Sequence, residues 1–238
     1  MSGILNSFKQ FLIEIKGDMM LAVMSIAPIL MGLVFRFALP FLETVLCRYF
    51  EVTQILSPYY LTFDLILIYM TPMMFSFCAV MVMFEEIDTG ISSYMMVTPL
   101  GKKGYLISRI GMPAIVAFIY DIVLIMVFSL TGVSLVMGFF LSILSALMGV
   151  ITSLLVVSIA SNKVECMAMT KLSGLLMIGL PVPFFVDGWV QYIAVILPSY
   201  WYSKLAISQN YVFCLLTVVV SFIWIGILYR KFEKKLFI

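Results

Sequence analysis

The chain contains no histidine. That removes the commonest general base and the commonest zinc ligand. Cysteine is scarce too: Cys47, Cys78, Cys166 and Cys214 stand far apart with no CxxC pair, so they outline neither a disulfide framework nor a metal site. No GxxxxGKS/T loop occurs, so the chain has no standard means of hydrolysing ATP. No GxSxG elbow is present, and the serines and cysteines lack a histidine base. The chain therefore reads as a non-enzyme. Charge is the last shortage. Only 11% of residues are charged and the net charge is +2, which gives nucleic-acid binding no electrostatic basis.

What fills the 238 residues is apolar: 64% are hydrophobic. Soluble domains carry roughly 45–50% apolar and about 25% charged residues. The runs are continuous rather than alternating, which predicts membrane helices and not a barrel. The whole chain, 1–238, reads as a single transmembrane domain.

Residues 4–16, ILNSFKQFLIEIK, are amphipathic at helical period, and 1–18 is expected to lie in the membrane interface. Span 1 is expected from Met19 to Leu39, followed by an interfacial segment over 40–60. Span 2 runs from Leu61 to Phe84, span 3 from Ile110 to Leu130, and span 4 from Leu135 to Ala160. Span 5 begins at Leu172 and breaks at Pro181 and Pro183. Residues 184–210 form short helices dipping into the outer leaflet. Span 6 covers Tyr211 to Tyr229. With the N-terminus inside, eleven of the fourteen Lys and Arg residues fall on the inner side. That bias predicts six spans with both termini cytoplasmic.

The longest polar interruption is Phe84 to Arg109, FEEIDTGISSYMMVTPLGKKGYLISR, on the cytoplasmic side by this topology. Glu85 and Glu86 stand at a helix C-terminus, against the macrodipole, which points to an ion-pair role with nearby bases or a partner. Without histidine they cannot serve a metalloprotease. Thr98-Pro99 should stop a short helix that begins near Thr89 or Ser92, with Ile91, Tyr94, Met95 and Leu100 as its contact residues. Within the spans, Asp121 falls near the midplane of span 3. A carboxylate there costs at least about 2.5–3.5 kcal/mol unless paired or wet. It either lines a substrate cavity or hydrogen-bonds to Ser, Thr or Tyr across the bundle. Asp64 and Arg36, both near outer span ends, either pair or snorkel separately.

The order of features resembles the type-2 ABC (ATP-binding cassette) transporter permeases. The residues that carry the resemblance are Glu85, Gly90, Thr98, Pro99, Leu100, Tyr105, Ser108 and Arg109, with Pro181, Pro183 and the ILPSYW run around Pro198, and the interfacial helix before span 1. Glu86 is an addition to that pattern. The resemblance implies an all-α membrane fold of six helices with a broken fifth helix and an outer re-entrant hairpin. It implies a bacterial plasma-membrane location, a second permease chain as homodimer or related heterodimer, and separate ATPase subunits that carry ATP and Mg. Residues 85–109 would then be the coupling loop, with Glu85, Glu86, Gly90, Tyr94, Met95, Thr98, Pro99, Lys102, Lys103 and Arg109 as coupling residues. Lys9, Glu14 and Lys16 would be secondary contacts. The expected activity is ATP-driven export of an apolar or amphipathic drug, antimicrobial peptide or lipid-like molecule. Two other readings stay open: a secondary transporter with Asp121 or Asp64 as proton site, and a non-transporting immunity or assembly protein that uses the loop only for docking.

Overall fold

A computed structural model describes residues 2–236, and among them every regular element is helical. Helix α1 (Ser2–Gly17) is amphipathic and leads through Asp18 into α2 (Met19–Phe50). Asp18 caps α2 by accepting from the N–H groups of Met20 at 2.8 Å and Leu21 at 3.3 Å. Helix α3 (Tyr60–Asp88) follows, then the short α4 (Ile91–Val97). Next, α5 (Gly101–Leu106), a wide π-turn (Ile107–Gly111) and α6 (Met112–Phe128) run on as one rod. Helices α7 (Leu135–Ile159) and α8 (Lys163–Ser173) precede a broken stretch with α9 (Val182–Phe185) and α10 (Pro198–Ser208). Helix α11 (Val212–Leu236) ends the described chain.

Among the described residues five helices are long and apolar enough to cross a membrane: Met19–Phe50, Ser57–Asp88, Gly101–Phe128, Leu135–Ile159 and Val212–Lys234. Residues 163–208 contain no such helix, in keeping with the prolines that break it. Three ends run well past expectation: α2 reaches Phe50 rather than Leu39, the rod of α5 and α6 starts at Gly101 rather than Ile110, and α11 reaches Leu236 rather than Tyr229. The segment 40–60 was expected to be interfacial, yet α2 continues through Pro40 to Phe50. Its end is fixed from within the helix. The Glu43 carboxylate accepts from the backbone N–H groups of Ile55 (3.0 Å), Leu56 (2.6 Å) and Ser57 (3.3 Å), and so satisfies a turn that has no helical partners.

The core sits between α3 and α7. In their most apolar windows 72% and 67% of residues are buried, against 17% for α2 and for α11, which are therefore peripheral. The close approach comes from small residues on α7. Gly138, Ser142, Ser145, Gly149 and Ser153 recur at helical spacing and are all buried. At the crossing, the Ser76 hydroxyl lies 2.7 Å from the Pro72 carbonyl oxygen and 2.6 Å from that of Gly149. A Cβ on Gly149 would meet Pro72 Cβ at 2.9 Å and the Pro72 carbonyl at 3.1 Å. Backbone at a proline cannot yield cheaply, so Gly149→Ala should overpack the crossing by about 1–3 kcal/mol. It is expected to lower the melting temperature of the purified protein. Gly226→Ala, where a Cβ would meet nothing within 4 Å, should not lower it.

Candidate functional site

The polar loop folds around one buried ion pair. Helix α3 does not stop at the membrane exit but carries Glu85 and Glu86 in its last turn, which Thr89 closes by donating its hydroxyl to the Glu85 carbonyl at 2.7 Å. Gly90 takes a left-handed conformation (φ 76°) and reverses the chain into α4. Thr98 ends α4 by donating to the Met95 carbonyl at 2.7 Å, and Pro99 follows. Gly101, also left-handed at φ 64°, turns the chain into α5. At the head of α6, Pro113 has no N–H to offer the Arg109 carbonyl. The turn before it is widened, with Met112 N–H bonding to the Ile107 carbonyl.

Arg109 on this wide turn is fully buried, as is Glu86 at 2% exposure. Arg109 Nε lies 3.0 Å from both Glu86 carboxylate oxygens, and Nη2 bonds to Oε1. Nη1 donates to the Ser7 carbonyl at 2.8 Å and approaches the Ser7 hydroxyl at 3.2 Å. Tyr105 donates its phenol to Glu86 Oε2 at 2.8 Å. Ser7 and Ser108 share a hydroxyl contact at 3.0 Å. The guanidinium also faces the rings of Phe11 (5.7 Å) and Tyr105 (5.9 Å) and the Met95 sulfur at 3.8 Å. One pair thus ties α1, the end of α3, α4 and the rod of α5 and α6. Both charges are solvated by the protein, as a buried pair requires.

The two adjacent acids have opposite roles. Glu86, an addition to the pattern that carries the type-2 ABC resemblance, is the one in the joint. Glu85, matched to that pattern, is 59% exposed and pairs with Lys163 at 3.1 Å, at the start of α8. Successive helix residues point about 100° apart, so one acid facing in sends the other out. Glu86 and Arg109 are covered by this chain. Tyr94 (75% exposed), Val97 (84%) and Ile91 (40%) share the outer face of α4, and Thr98 and Pro99 extend it. Val97 was not singled out in the sequence, although it stands three residues after Tyr94. Met95 and Leu100, expected as contacts, are half-buried, and Leu100 is the side chain nearest Gly104. Lys9, Lys16, Lys102 and Lys103 are exposed. Glu14 is half-buried beside the joint, and burial, then the nearby Glu86 carboxylate, holds its carboxyl above the usual value. Ser7 and Phe11, central to the joint, carried no sequence signal beyond their place in an amphipathic helix.

The membrane charges lie elsewhere. Asp121 is fully buried and accepts from Ser145 at 2.5 Å, while its second oxygen has no partner among the described residues. Asp64 and Arg36 do not pair. Both converge on the turn after α6. Asp64 accepts from Ser129 Oγ (2.9 Å), Leu130 N–H (2.9 Å), Thr131 N–H (3.0 Å) and Thr131 Oγ1 (2.6 Å). Arg36 Nη1 donates to the Ser129 carbonyl at 2.8 Å. The turn supplies enough donors to replace the arginine as the partner of Asp64.

A family model described as "Fluoroquinolones export permease protein Rv2686c-like" matches residues 11–229 of the chain. No curated protein and no solved structure matches it.

Removing one member of the pair strands a buried charge, at a cost of about 3–5 kcal/mol. Arg109→Met should therefore lower the melting temperature sharply and loosen α1, seen as faster proteolysis after Lys9 or Lys16. Lys163→Met, at the exposed pair, should change either reading little. The pH dependence of Glu14 follows from its raised value. The folded state binds this proton more tightly than the unfolded chain, so the gain is full below the ordinary value of 4.5 and fades as pH rises through the folded one. Glu14→Gln is expected to raise the melting temperature at neutral pH and to leave it unchanged at acidic pH below that ordinary value.

Proposed function

The chain belongs to the Rv2686c-like family of fluoroquinolone export permeases, and we propose that it is the membrane subunit of an ATP-driven drug exporter. In this reading a separate ATPase supplies ATP hydrolysis, and a second permease chain completes the translocation path. The chain sits in the bacterial plasma membrane with both termini cytoplasmic, and the broken stretch 163–208 makes the sixth crossing through a re-entrant hairpin. The substrate is an amphipathic aromatic drug of the fluoroquinolone kind.

One observation carries the reading. A short helix with three exposed apolar residues, Ile91, Tyr94 and Val97, is held between two membrane helices whose ends are locked by a buried ion pair. An exposed apolar face on a rigid mount suits a docking element. Force applied to α4 would reach α3 through Glu86 and α6 through Arg109, since the two charges cannot separate cheaply. The N-terminal α1, tied in through Ser7, would move with them.

A second reading, proton-coupled transport, is favoured by one feature: the buried Asp121 with one oxygen unsatisfied. Everted membrane vesicles separate the two. The expected result is drug uptake that needs ATP, survives a protonophore and is abolished by vanadate. Val97→Asp should cut that uptake by roughly tenfold at unchanged protein level, since a charge placed in an apolar contact is left unpaired. Uptake that collapses with the protonophore and with Asp121→Asn would instead identify a secondary transporter. A protein with no uptake under either condition would be a non-transporting one.

A further inference from the structure

The rod of α5 and α6 leads away from the Glu86–Arg109 joint to the turn held by Asp64, and α7 begins just beyond it. Phe140 on α7 touches Tyr211 at 5.3 Å between ring centroids, which puts the α10–α11 corner at this same far end. A lysine sits there in unusual company. Lys204 on α10 lies 5.7 Å from the ring centroid of Tyr192, 5.2 Å from that of Tyr200 and 5.7 Å from that of Phe213. Its ammonium donates to the Tyr200 hydroxyl at 2.9 Å, and Tyr200 in turn donates to Gln191 Oε1 at 3.3 Å.

This lysine has no carboxylate within ion-pair distance among the described residues. An ammonium has three N–H donors, and only one meets a hydrogen-bond acceptor here. Gln191 is in the same position: Tyr200 occupies its oxygen, so its amide N–H groups are left to donate. The frame around them is fixed. Trp201 donates its indole N–H to the Val195 carbonyl at 2.9 Å and stacks on Phe213, and Trp224 donates to the Ile196 carbonyl at 2.9 Å. Tyr192 is different, because it is 59% exposed beside the cation.

We infer that Lys204, Gln191 and Tyr192 form a binding site for a planar aromatic carboxylate at the end of the bundle opposite the joint. The carboxylate accepts from the ammonium and the amide, and its ring lies against Tyr192. A phospholipid headgroup could use the charge but would leave the exposed ring without a partner, so the aromatic ligand fits both features. The inference rests on the export reading and names a substrate subsite within it.

The test uses the full chain in phosphatidylcholine nanodiscs. Ciprofloxacin and its decarboxylated analogue serve as probes, followed by the anisotropy of their own fluorescence. Lys204→Met should weaken ciprofloxacin by about tenfold, as for loss of one charge-assisted contact, and leave the decarboxylated analogue unchanged. Lys204→Arg should retain carboxylate binding. Tyr192→Ala, an exposed position whose loss does not threaten the fold, should weaken both probes. Equal binding of ciprofloxacin by wild type, Lys204→Met and Tyr192→Ala would overturn the site. So would a Lys204→Met protein that binds the drug normally but loses phosphatidylglycerol when that lipid is added to the discs, which would make this a headgroup site. If vesicle uptake proceeds while Lys204→Met changes nothing, only this site falls. If wild type neither binds nor transports the drug, the export reading falls with it.

Discussion

Two buried charges hold the Phe84–Arg109 end of this protein together. A guanidinium and a carboxylate removed from water cost several kcal/mol each unless each polar atom finds a partner. Here Arg109 spends its donors on Glu86 and Ser7, and Glu86 takes a further bond from Tyr105. The cost is met only when α1, α3 and the wide turn before α6 are all in place. The pair is therefore weak evidence for raw stability and strong evidence for one arrangement of those elements. Everything polar on this side is arranged around it. Gly90 and Gly101 turn the chain so that α4 lies outside while Tyr105 and Arg109 return inward.

At the opposite end two charges hold one turn without pairing with each other. Asp64 gathers the backbone and hydroxyls of 129–131, and Arg36 holds the same turn from the other side through a carbonyl. Between the ends the bundle relies on shape. In an apolar solvent there is little hydrophobic gain from bringing helices together, so close approach along small residues must supply the contact. The stripe from Gly138 to Ser153 provides it, and Asp121 is accommodated because Ser145 belongs to that stripe. The rod of α5 and α6 is thus gripped at Arg109, at Asp121 and at its terminal turn.

Much of this was legible in the residues. Long apolar runs located the five long helices, span 4 to within a residue at each end, and the prolines marked where the chain from 172 to 198 could not stay helical. Thr98-Pro99 ended α4 where expected. The failures have physical causes. The mixed, aromatic run 40–60 read as interfacial, but a carboxylate can fold back to serve the turn that follows, as Glu43 does. Propensity does not see that long-range bond. The two acids were harder. Residues 78–84 are apolar and buried all round the helix, so no face in the sequence singles out Glu86 over Glu85. A charged residue continuing an apolar run reads as the run's end until its cation is known, and that cation is twenty-three residues away.

The separation of Glu85 from Glu86 also bears on mechanism. A docking helix transmits displacement only if its mount is stiffer than its contact. An exposed pair such as Glu85–Lys163 rearranges at small cost in water, because each ion can be hydrated separately. The Glu86–Arg109 pair has no such alternative, since opening it exposes both charges to an apolar surrounding. In the proposed exporter the two acids therefore divide the work. Glu86 makes α3 and α6 move as one body, while Glu85 lets that body shift against α8 through a contact that can break and reform. The yielding contact lies at the start of the broken stretch 163–208. The adjacency of the acids is what places a rigid joint and a sliding one within a single helical turn.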